Sequence, residues 1–503
     1  MPIEQRSLNA FSTDHLDKDL KGRSVRGGLL TLSSQAVQFI IQTVATVILA
    51  RLLTPSDFGL VAMVTSVTGL ANSFMDFGLS EATIQRKNIT HEQVSALFWI
   101  NLVIGVGLTL ATAVVGPVIA WVDSEPRLRA IALLASFNFL VGGLRVQPNA
   151  LLKRQMRYLS IAMRDVASYT VAVPVAVVMA CYGAGYWALV ALPLILNSVQ
   201  MALSWLLVRW RPSFPRRGSS VRSMVIFGGN VSGSYLLTNL NRSVDAVLVG
   251  WYWGAEPLGL YSRAYNLLML PVRQLSSPAS SVAVPTFSRL QSEPERFARY
   301  YLRAACVIMW ICAPLFGFLF VAATPVIALV LGPQWGQAAP VFRLLAVSAM
   351  TQIFLEMSIW LLISRGMSGS LLKLLLLISP VMTVSFLCGL PFGIKGVALA
   401  GSLAQIAIFP WMLHFTFRGT KLTLCRLGRS IVFPVSLSLL GVLFSEVALN
   451  LMAPAHMLSR LLVSALGLVV AYSLSVIIPE IRQEVLSFRV LFGAALSASK
   501  ETA

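Results

Sequence analysis

Long apolar runs alternate with short polar stretches along almost the whole chain. A membrane-spanning helix needs about 20 mostly apolar residues, and about fourteen segments meet this requirement. The pattern therefore predicts an all-α polytopic membrane protein. Six helices are expected near Leu29–Ala50, Phe58–Phe77, Val94–Val122, Leu128–Leu144, Val166–Tyr182 and Gly185–Val208. Eight more are expected near Met224–Gly250, Leu258–Val284, Tyr301–Leu331, Ala339–Ile363, Ser370–Leu390, Gly396–Phe417, Ile431–Leu449 and Leu458–Ile478.

The composition supports this interpretation. Of 503 residues, 56% are hydrophobic and only 12% are charged, whereas soluble domains contain about 25% charged residues. A soluble fold of this composition could not cover its own surface with polar groups. The five cysteines show no spacing typical of a disulfide framework or a metal site.

The basic residues lie mostly in every second loop. Lys and Arg exceed Asp and Glu by 19, an excess that in a soluble protein would suggest nucleic-acid binding. The predicted inner loops contain clusters such as Lys153, Arg154 and Arg157, whereas the predicted outer loops contain few basic residues. Because basic residues collect on the cytoplasmic side of membrane proteins, both termini are expected to be cytoplasmic. We expect these loops to attract anionic lipid headgroups, and we expect no nucleic-acid partner.

Short motifs recur in the same order in the two halves of the chain. DFGLVA around Gly59 corresponds to PLGLYS around Gly259, 200 positions later, and YGAGYWAL around Gly183 corresponds to FGIKGVAL around Gly393. Each repeat contains six predicted helices, and an even number gives both repeats the same orientation in the membrane. Transporters built from such repeats bind substrate where the repeats meet.

This organisation predicts six segments along the chain. They are a cytoplasmic tail (1–28), an N-lobe (29–208), a basic cytoplasmic linker (209–222), a C-lobe (223–417), two further helices (418–480) and a cytoplasmic tail (481–503).

Both repeats begin with a helix that carries polar residues on one face. The first helix carries Ser34, Gln38, Gln42 and Thr46, and the seventh carries Ser234, Thr238, Asn241, Arg242 and Asp245. Residues four apart share a helix face. If these two polar stripes faced each other, they would line a water-filled path between the lobes.

Three arginines lie within apolar segments of the second repeat, namely Arg242, Arg263 and Arg273. A charge at the bilayer centre costs about 2.5–3.5 kcal/mol on insertion scales, so it needs a partner, a wet cavity or a function. Arg242 either neutralises Asp245, three residues later, or contacts substrate. Arg273 either lies within the membrane or extends to its inner surface. Pro271 and Pro278 flank Arg273 and are typical of a bend or break in a helix.

Three acidic residues in or near apolar segments, Asp76, Asp245 and Glu356, are candidates either for ion coupling or for a structural charge. Glu356, inside the tenth predicted helix, is either a coupling site for H⁺ or Na⁺ or a hydrogen-bonded structural residue. Asp76, near the inner end of the second helix, is expected to pair with Arg86 or Lys87. Arg145 follows the fourth predicted helix and is expected to anchor that helix at the membrane interface.

Four long motifs resemble a known family: ARLLTPSDFGLVAM, FMDFGLSEATIQRK, NRSVDAVLVGWYWGAEPLGLYSRAYNLL and LPVRQLSSPASSVAVPTFSRLQ. They are similar to the polysaccharide-transport branch of the multidrug/oligosaccharidyl-lipid/polysaccharide flippase superfamily, and most similar to Wzx-type exporters of the colanic acid kind. The resemblance covers both repeats.

The resemblance implies a V-shaped, two-lobed bundle in the bacterial inner membrane. It implies that the protein flips undecaprenyl-diphosphate-linked oligosaccharides for polysaccharide synthesis, alongside other polysaccharide-assembly membrane proteins. It also implies a cationic cavity, with Arg242, Arg263 and Arg273 as the matching positions. Arginine suits a diphosphate because it donates paired hydrogen bonds, and Ser, Thr, Asn and Gln side chains suit sugar hydroxyls.

Two alternatives compete with a flippase. A cation-coupled drug antiporter of the same superfamily would be expected to carry acidic residues in its cavity, whereas arginines predominate here. A membrane enzyme would need a catalytic constellation, but the four histidines are scattered along the chain. We therefore predict a transporter without a cofactor rather than an enzyme.

Overall fold

The computed structural model describes residues 20–76, 78–86, 89–214, 243–452, 454 and 456–477. Within these ranges the chain forms sixteen α-helices, two short 3₁₀ turns and no strand. The first seven helices are α1 (Leu20–Leu52), α2 (Pro55–Met75), α3 (Leu79–Gln85), α4 (His91–Val122), α5 (Arg127–Arg154), α6 (Tyr158–Cys181) and α7 (Tyr186–Val208). The next five are α8 (Val244–Trp253), α9 (Ala255–Arg289), α10 (Pro294–Val321), α11 (Ala323–Val330) and α12 (Ala338–Ser364). The last four are α13 (Ser368–Gly389), α14 (Gly393–Phe417), α15 (Leu424–Met452) and α16 (Met457–Ile477).

The helices confirm the predicted all-α membrane fold. In the described ranges, nine segments are long and apolar enough to cross a membrane, and one of them, Ser368–Phe417, contains both α13 and α14. The number fourteen stays a prediction. Helix α1 begins at Leu20, within the segment predicted as the N-terminal tail, and α9 continues past Pro271 and Pro278 without the break that was one of the two expectations for these prolines.

The chain divides into two compact units, residues 1–262 and 263–503, with the division inside α9. In the first unit, α4 and α5 pack closely because glycines face each other's backbone. A Cβ atom on Gly105 would lie 2.7 Å from the carbonyl oxygen of Phe139, and one on Gly143 would lie 2.7 Å from that of Asn101. Helix α1 packs against α6, and α7 packs against α5 and α6.

The helical structure is interrupted between α2 and α3, close to the predicted end of the second helix at Phe77. Asp76 ends α2, and Gly78 adopts a φ of 61°, a left-handed conformation that glycine accepts without strain. The Asp76 carboxylate accepts hydrogen bonds from the backbone N–H and the hydroxyl of Ser80. Asp76 thus caps the start of α3, and Lys87, one of its expected partners, lies outside the described residues.

A buried polar network joins this interruption to α4 and α5. The Thr83 hydroxyl donates to Gln147 Oε1 (2.9 Å), and Gln147 Nε2 donates to Asn101 Oδ1 (3.0 Å). The buried Arg154 guanidinium donates to the backbone carbonyl of Thr83 (2.9 Å), at the end of α3. The bond from Arg154 satisfies a backbone carbonyl that the end of α3 would otherwise leave unpaired, and the two side-chain bonds pair buried polar groups with each other.

The start of the predicted linker packs against the first unit. Trp210 is buried and donates from Nε1 to His91 Nδ1 (3.2 Å). Trp99 Nε1 donates to the Ser213 carbonyl oxygen (2.9 Å), and the Trp99 and Phe214 rings stack. Residues 209–214 are therefore an ordered part of the first unit, and the remainder of the predicted linker lies outside the described residues.

In the second unit, α15 and α16 pack on α10 through small residues. A Cβ atom on Gly317 would lie 3.1 Å from Val442, and one on Gly467 would lie 2.7 Å from the backbone nitrogen of Ser445. Arg343 of α12 forms an ion pair with Glu446 of α15, and its guanidinium lies 4.6 Å from the Phe320 ring centroid. The two final helices are thus integral to this unit.

The turn between α1 and α2 is fixed by its sequence TPSD. The Thr54 hydroxyl accepts from the Asp57 N–H, and the Asp57 carboxylate accepts from the Thr54 N–H and hydroxyl, which forms a capping box. The other Asp57 oxygen accepts from the Tyr186 N–H (3.1 Å) at the start of α7. Asp57 therefore joins two helix N-termini.

Replacing Asp57 by alanine is expected to destabilise the protein. Removing the carboxylate leaves backbone donors unpaired at two helix starts, at a cost of about 1–3 kcal/mol. Thermal unfolding of the purified protein measures the effect, and Ser56→Ala in the same turn is the matched control. A melting temperature for Asp57→Ala equal to that of the control would refute this role.

The two copies of the repeated motif contact each other directly. A Cβ atom on Gly59 would lie 1.6 Å from the Ala255 carbonyl oxygen, and one on Gly259 would lie 1.9 Å from the Pro55 carbonyl oxygen. Ala255 lies 200 positions after Pro55, as Gly259 does after Gly59. The N-terminal turns of α2 and α9 therefore cross in a reciprocal contact, in which each glycine lies on the first turn of the other helix.

Candidate functional site

A cluster of polar side chains lies where α5, α6 and α7 pack together. We call it the α5–α7 cluster, and it consists of Arg145, Asn149, Arg164, Asp165, Gln200 and Ser204. All six residues lie within helices that are apolar enough to span a membrane. Because charges are costly in such segments, the cluster needs either internal pairing or a ligand.

Arg164 is the fixed centre of the cluster. Its guanidinium donates to Asp165 Oδ1 from Nε (2.9 Å) and Nη2 (2.7 Å), and to Asn149 Oδ1 (2.8 Å) and Ser204 Oγ (3.1 Å) from Nη1. The side chain of Arg164 is 6% exposed. A buried ion pair with these additional hydrogen bonds holds the side chain in one orientation.

Arg145 is held more loosely. Its Nη1 donates to Gln200 Oε1, and Gln200 Nε2 donates to Asp165 Oδ1 (3.3 Å). Arg145 is partly exposed, and within the described part of the chain no carboxylate lies at ion-pair distance from it. A guanidinium has five N–H donors, so Arg145 retains donors for another group.

The cluster has an excess of positive charge. Arg145 and Arg164 contribute two positive charges, and Asp165 contributes one negative charge that Arg164 already engages. Arg145 lies nine residues before the end of α5, about 13 Å along the helix at 1.5 Å per residue. An anion that contacts Arg145 would thus be bound well inside the membrane segment on its predicted inner side.

Two amide side chains extend the cluster along the same helix faces. Asn197 Nδ2 donates to Asn138 Oδ1 (2.9 Å), and both residues are partly exposed. Asn138 lies seven residues before Arg145, which is two helix turns or about 10 Å. The first unit therefore presents a cation with neutral hydrogen-bonding groups beyond it.

Several residues predicted from sequence lie elsewhere or outside the described ranges. Thr238, Asn241 and Arg242 are outside them, so the expected pair of Arg242 with Asp245 stays a prediction. Asp245 is buried and accepts from the Tyr261 hydroxyl (2.9 Å) and the Ala246 N–H (2.8 Å).

The polar residues of α1 differ in their surroundings, because two of them bond to each other and a third is exposed. Ser34 is buried and accepts from Gln38 Nε2 (2.8 Å), whereas Gln42 is exposed. Arg263 is partly exposed in α9, and Arg273 is exposed ten residues further along that helix. The role of each in substrate binding stays a prediction.

Glu356 lies on α12 one turn after Gln352. Gln352 Oε1 accepts from Gln405 Nε2 of α14 (2.9 Å), so a polar bridge joins these two helices beside Glu356. Glu356 is partly buried. The contacts of Gln352 leave both interpretations of Glu356 open as predictions.

The sequence interpretation missed Arg145 and Arg164 as site residues. The fourth helix was expected to end at Leu144, but α5 continues to Arg154 and carries Arg145 within the bundle. The spacing of the polar residues could have identified the cluster. Residues four apart share a helix face, as Arg145 and Asn149 do on α5 and as Gln200 and Ser204 do on α7.

Comparison with known proteins identifies relatives that are named as biosynthesis proteins. A family model described as "Polysaccharide biosynthesis protein" matches residues 48–340. The chain is 26% identical over 423 residues to teichuronic acid biosynthesis protein TuaB of Bacillus subtilis, which covers 82% of this chain and 86% of TuaB. It is 25% identical over 334 residues to lipopolysaccharide biosynthesis protein WzxC of Escherichia coli, which covers 65% and 67%.

The fold is similar to that of solved transporters. The lipid II flippase MurJ in an inward closed conformation superposes with a TM-score of 0.71 at 12% identity, covering 89% of this chain and 99% of MurJ. An inward-facing multidrug resistance MATE family transporter superposes with a TM-score of 0.55 at 14% identity, covering 77% and 98%. At these identities the similarity concerns the fold alone.

Proposed function

Because the chain belongs to the polysaccharide biosynthesis protein family, we propose that it translocates lipid-linked oligosaccharides across the membrane by alternating access. The substrate is an oligosaccharide joined through a diphosphate to a polyprenyl carrier. The membrane is the bacterial inner membrane, with both termini of the chain in the cytoplasm. This proposal agrees with the names of TuaB and WzxC, a teichuronic acid biosynthesis protein and a lipopolysaccharide biosynthesis protein.

The single observation that carries the substrate class is the position of Arg145. It lies inside a membrane segment, it has donors beyond its bond to Gln200, and Arg164 adds positive charge beside it. Paired guanidinium hydrogen bonds suit phosphate oxygens. We place the diphosphate at Arg145 and the first sugars near Asn138 and Asn197.

The second unit is proposed to supply further contacts. Arg263 and Arg273 are the described candidates in the substrate path, and Arg242 is a third. Glu356 is proposed to couple transport to an ion gradient. The basic loops are proposed to bind anionic lipids, and other membrane proteins of polysaccharide assembly are proposed partners.

The drug antiporter remains the competing function because a MATE transporter shares the fold. An export site for cationic drugs would be expected to present a carboxylate to the substrate. In the α5–α7 cluster, however, Asp165 is engaged by Arg164 and Gln200, while Arg145 has donors to offer. The charge of the cluster therefore supports an anionic substrate.

Deleting the gene from its host bacterium separates the two functions. We expect loss of surface polysaccharide and accumulation of the lipid-linked precursor, with unchanged sensitivity to cationic drugs. Complementation with the intact gene provides the control. Normal polysaccharide together with increased drug sensitivity would overturn the proposal in favour of the antiporter.

A further inference from the structure

A pocket of about 320 Å³ lies between α2, α4 and α8 in the first unit. Its walls are mainly apolar and include Met63, Val118, Val122, Val247 and Gly250. Small-molecule sites have volumes of about 300–1,000 Å³, so the pocket can hold part of a hydrocarbon chain. It is separate from the α5–α7 cluster, and the proposed function makes no use of it.

Two side chains with oxygen atoms line the pocket, Ser66 and Asp123, and only one of these two is available to a ligand. The Ser66 hydroxyl donates to the Met63 carbonyl oxygen (3.0 Å) of its own helix. The Asp123 carboxylate accepts no hydrogen bond and forms no ion pair with any residue in the described part of the chain. Burial against these walls raises the pKa of the Asp123 carboxyl, which indicates that a nearby cation would stabilise its charged form.

The neighbouring acid, Glu125, differs from Asp123 because a protein cation contacts it. Glu125 accepts two hydrogen bonds from Arg127, from Nε (2.7 Å) and Nη2 (2.9 Å). Arg127 thereby lowers the pKa of the Glu125 carboxyl. Asp123 and Glu125 both follow α4. Within the described residues, Asp123 lines the pocket and has no protein cation at ion-pair distance, whereas Glu125 is paired with Arg127.

The pocket lies at the level of a membrane interface. Asp123 directly follows the last residue of α4, and the side chains of Trp121 and Trp251 beside it are 77% and 57% exposed. Tryptophan collects where the hydrocarbon core meets the headgroups. Val118 lies five residues before Asp123, about 7 Å deeper along the helix. A lipid whose headgroup meets Asp123 would therefore place its chain along the apolar walls.

We infer that this pocket binds a phospholipid with an ethanolamine headgroup from the predicted outer leaflet. The ammonium group donates to the Asp123 carboxylate, and one acyl chain occupies the space between α2, α4 and α8. An ammonium complements the single negative charge of the pocket, whereas a phosphoglycerol headgroup offers no cation. Because α2 and α8 form two of its walls, bound lipid would also support their packing.

Native mass spectrometry of the intact purified protein tests this site. The probes are phosphatidylethanolamine, phosphatidylcholine and phosphatidylglycerol with identical acyl chains, since choline keeps the charge but has no N–H donor. We expect preferential retention of the ethanolamine lipid by the wild-type protein. Asp123→Asn removes a charge-assisted hydrogen bond and should weaken this retention at least about tenfold.

Two further variants complete the test. Glu125→Gln is the matched control and should leave the lipid preference unchanged, because Arg127 already occupies that carboxylate. Val118→Trp should fill the pocket and reduce retention of the ethanolamine lipid as well. Equal retention of the three lipids by the wild-type protein, or an unchanged preference in Asp123→Asn, would overturn the inference. Retention of a lipophilic cation without any lipid preference would also overturn it.

Discussion

Gly59→Ala is expected to abolish export while the protein still inserts into the membrane. The added Cβ atom would lie 1.6 Å from the Ala255 carbonyl oxygen, so α2 and α9 would have to separate by well over an ångström. Overpacking a close contact costs about 1–3 kcal/mol and sometimes more. Here the obstructing atom belongs to a helix backbone and cannot rotate away, so the helix ends must move apart.

The reciprocal contact extends this prediction to the second glycine. Gly259→Ala should have the same effect, because its Cβ atom would lie 1.9 Å from the Pro55 carbonyl oxygen. Export of surface polysaccharide by each variant in cells lacking the native gene is the measurement. Gly69→Ala is the matched control on α2, since a Cβ atom there meets nothing within 4 Å.

A second readout separates a conformational effect from misfolding. In a background without the native cysteines, a cysteine at Ser262 reports on the crossing, because Ser262 is buried one turn after Gly259. A membrane-impermeant thiol reagent should label it faster in Gly59→Ala than in the Gly69→Ala control. Normal export by Gly59→Ala would contradict the account of this crossing.

Arg145→Ala is expected to reduce export by about ten- to a hundredfold with normal protein levels. The lost interaction is a charge-assisted hydrogen bond to the diphosphate, worth about 1.5–3 kcal/mol, and 1.4 kcal/mol corresponds to a factor of ten. Arg145→Lys should recover only part of the activity, because lysine keeps the charge but cannot donate two parallel hydrogen bonds. Accumulation of lipid-linked precursor measures the defect.

The controls for Arg145 come from the same helix. Arg129, exposed near the start of α5, should tolerate alanine. Arg154→Ala should instead lower the protein level, because Arg154 bonds to the carbonyl that ends α3. Gln200→Ala should add little to Arg145→Ala, since Gln200 acts by holding Arg145. Unimpaired export by Arg145→Ala would remove Arg145 from the substrate path.

The fold was largely predictable because hydropathy and local motifs act over short distances. Apolar length alone indicated the membrane helices, and the TPSD sequence carries its own capping box at Thr54 and Asp57. The repeated glycines pointed to an equivalence between two turns. Their reciprocal contact was not predictable, because it depends on how two segments 200 positions apart pack together.

The α5–α7 cluster was less predictable because it, too, depends on how segments far apart in the sequence pack together. Arg145 was interpreted as an interface anchor because the apolar run stops at Leu144, although helix α5 continues for another turn and more. The hydrogen-bond partner that holds Arg145 inside the bundle is Gln200, which is 55 positions away in the sequence. The hydrogen bonds of the Asp76 carboxylate with Ser80 were not anticipated, and its expected pairing with Arg86 or Lys87 stays a prediction. Side-chain partners are chosen by tertiary packing, which local patterns do not encode.

Transport by the purified protein in proteoliposomes tests most directly whether the protein translocates a lipid-linked oligosaccharide. Vesicles would contain a labelled polyprenyl-diphosphate oligosaccharide in both leaflets, and an impermeant enzyme outside would cleave exposed sugars. With the wild-type protein, we expect cleavage of the whole pool, because lipid from the inner leaflet reaches the outer surface. With Arg145→Ala, cleavage should slow after the outer leaflet is consumed. Cleavage confined to the outer leaflet with the wild-type protein, as in protein-free vesicles, would contradict the account.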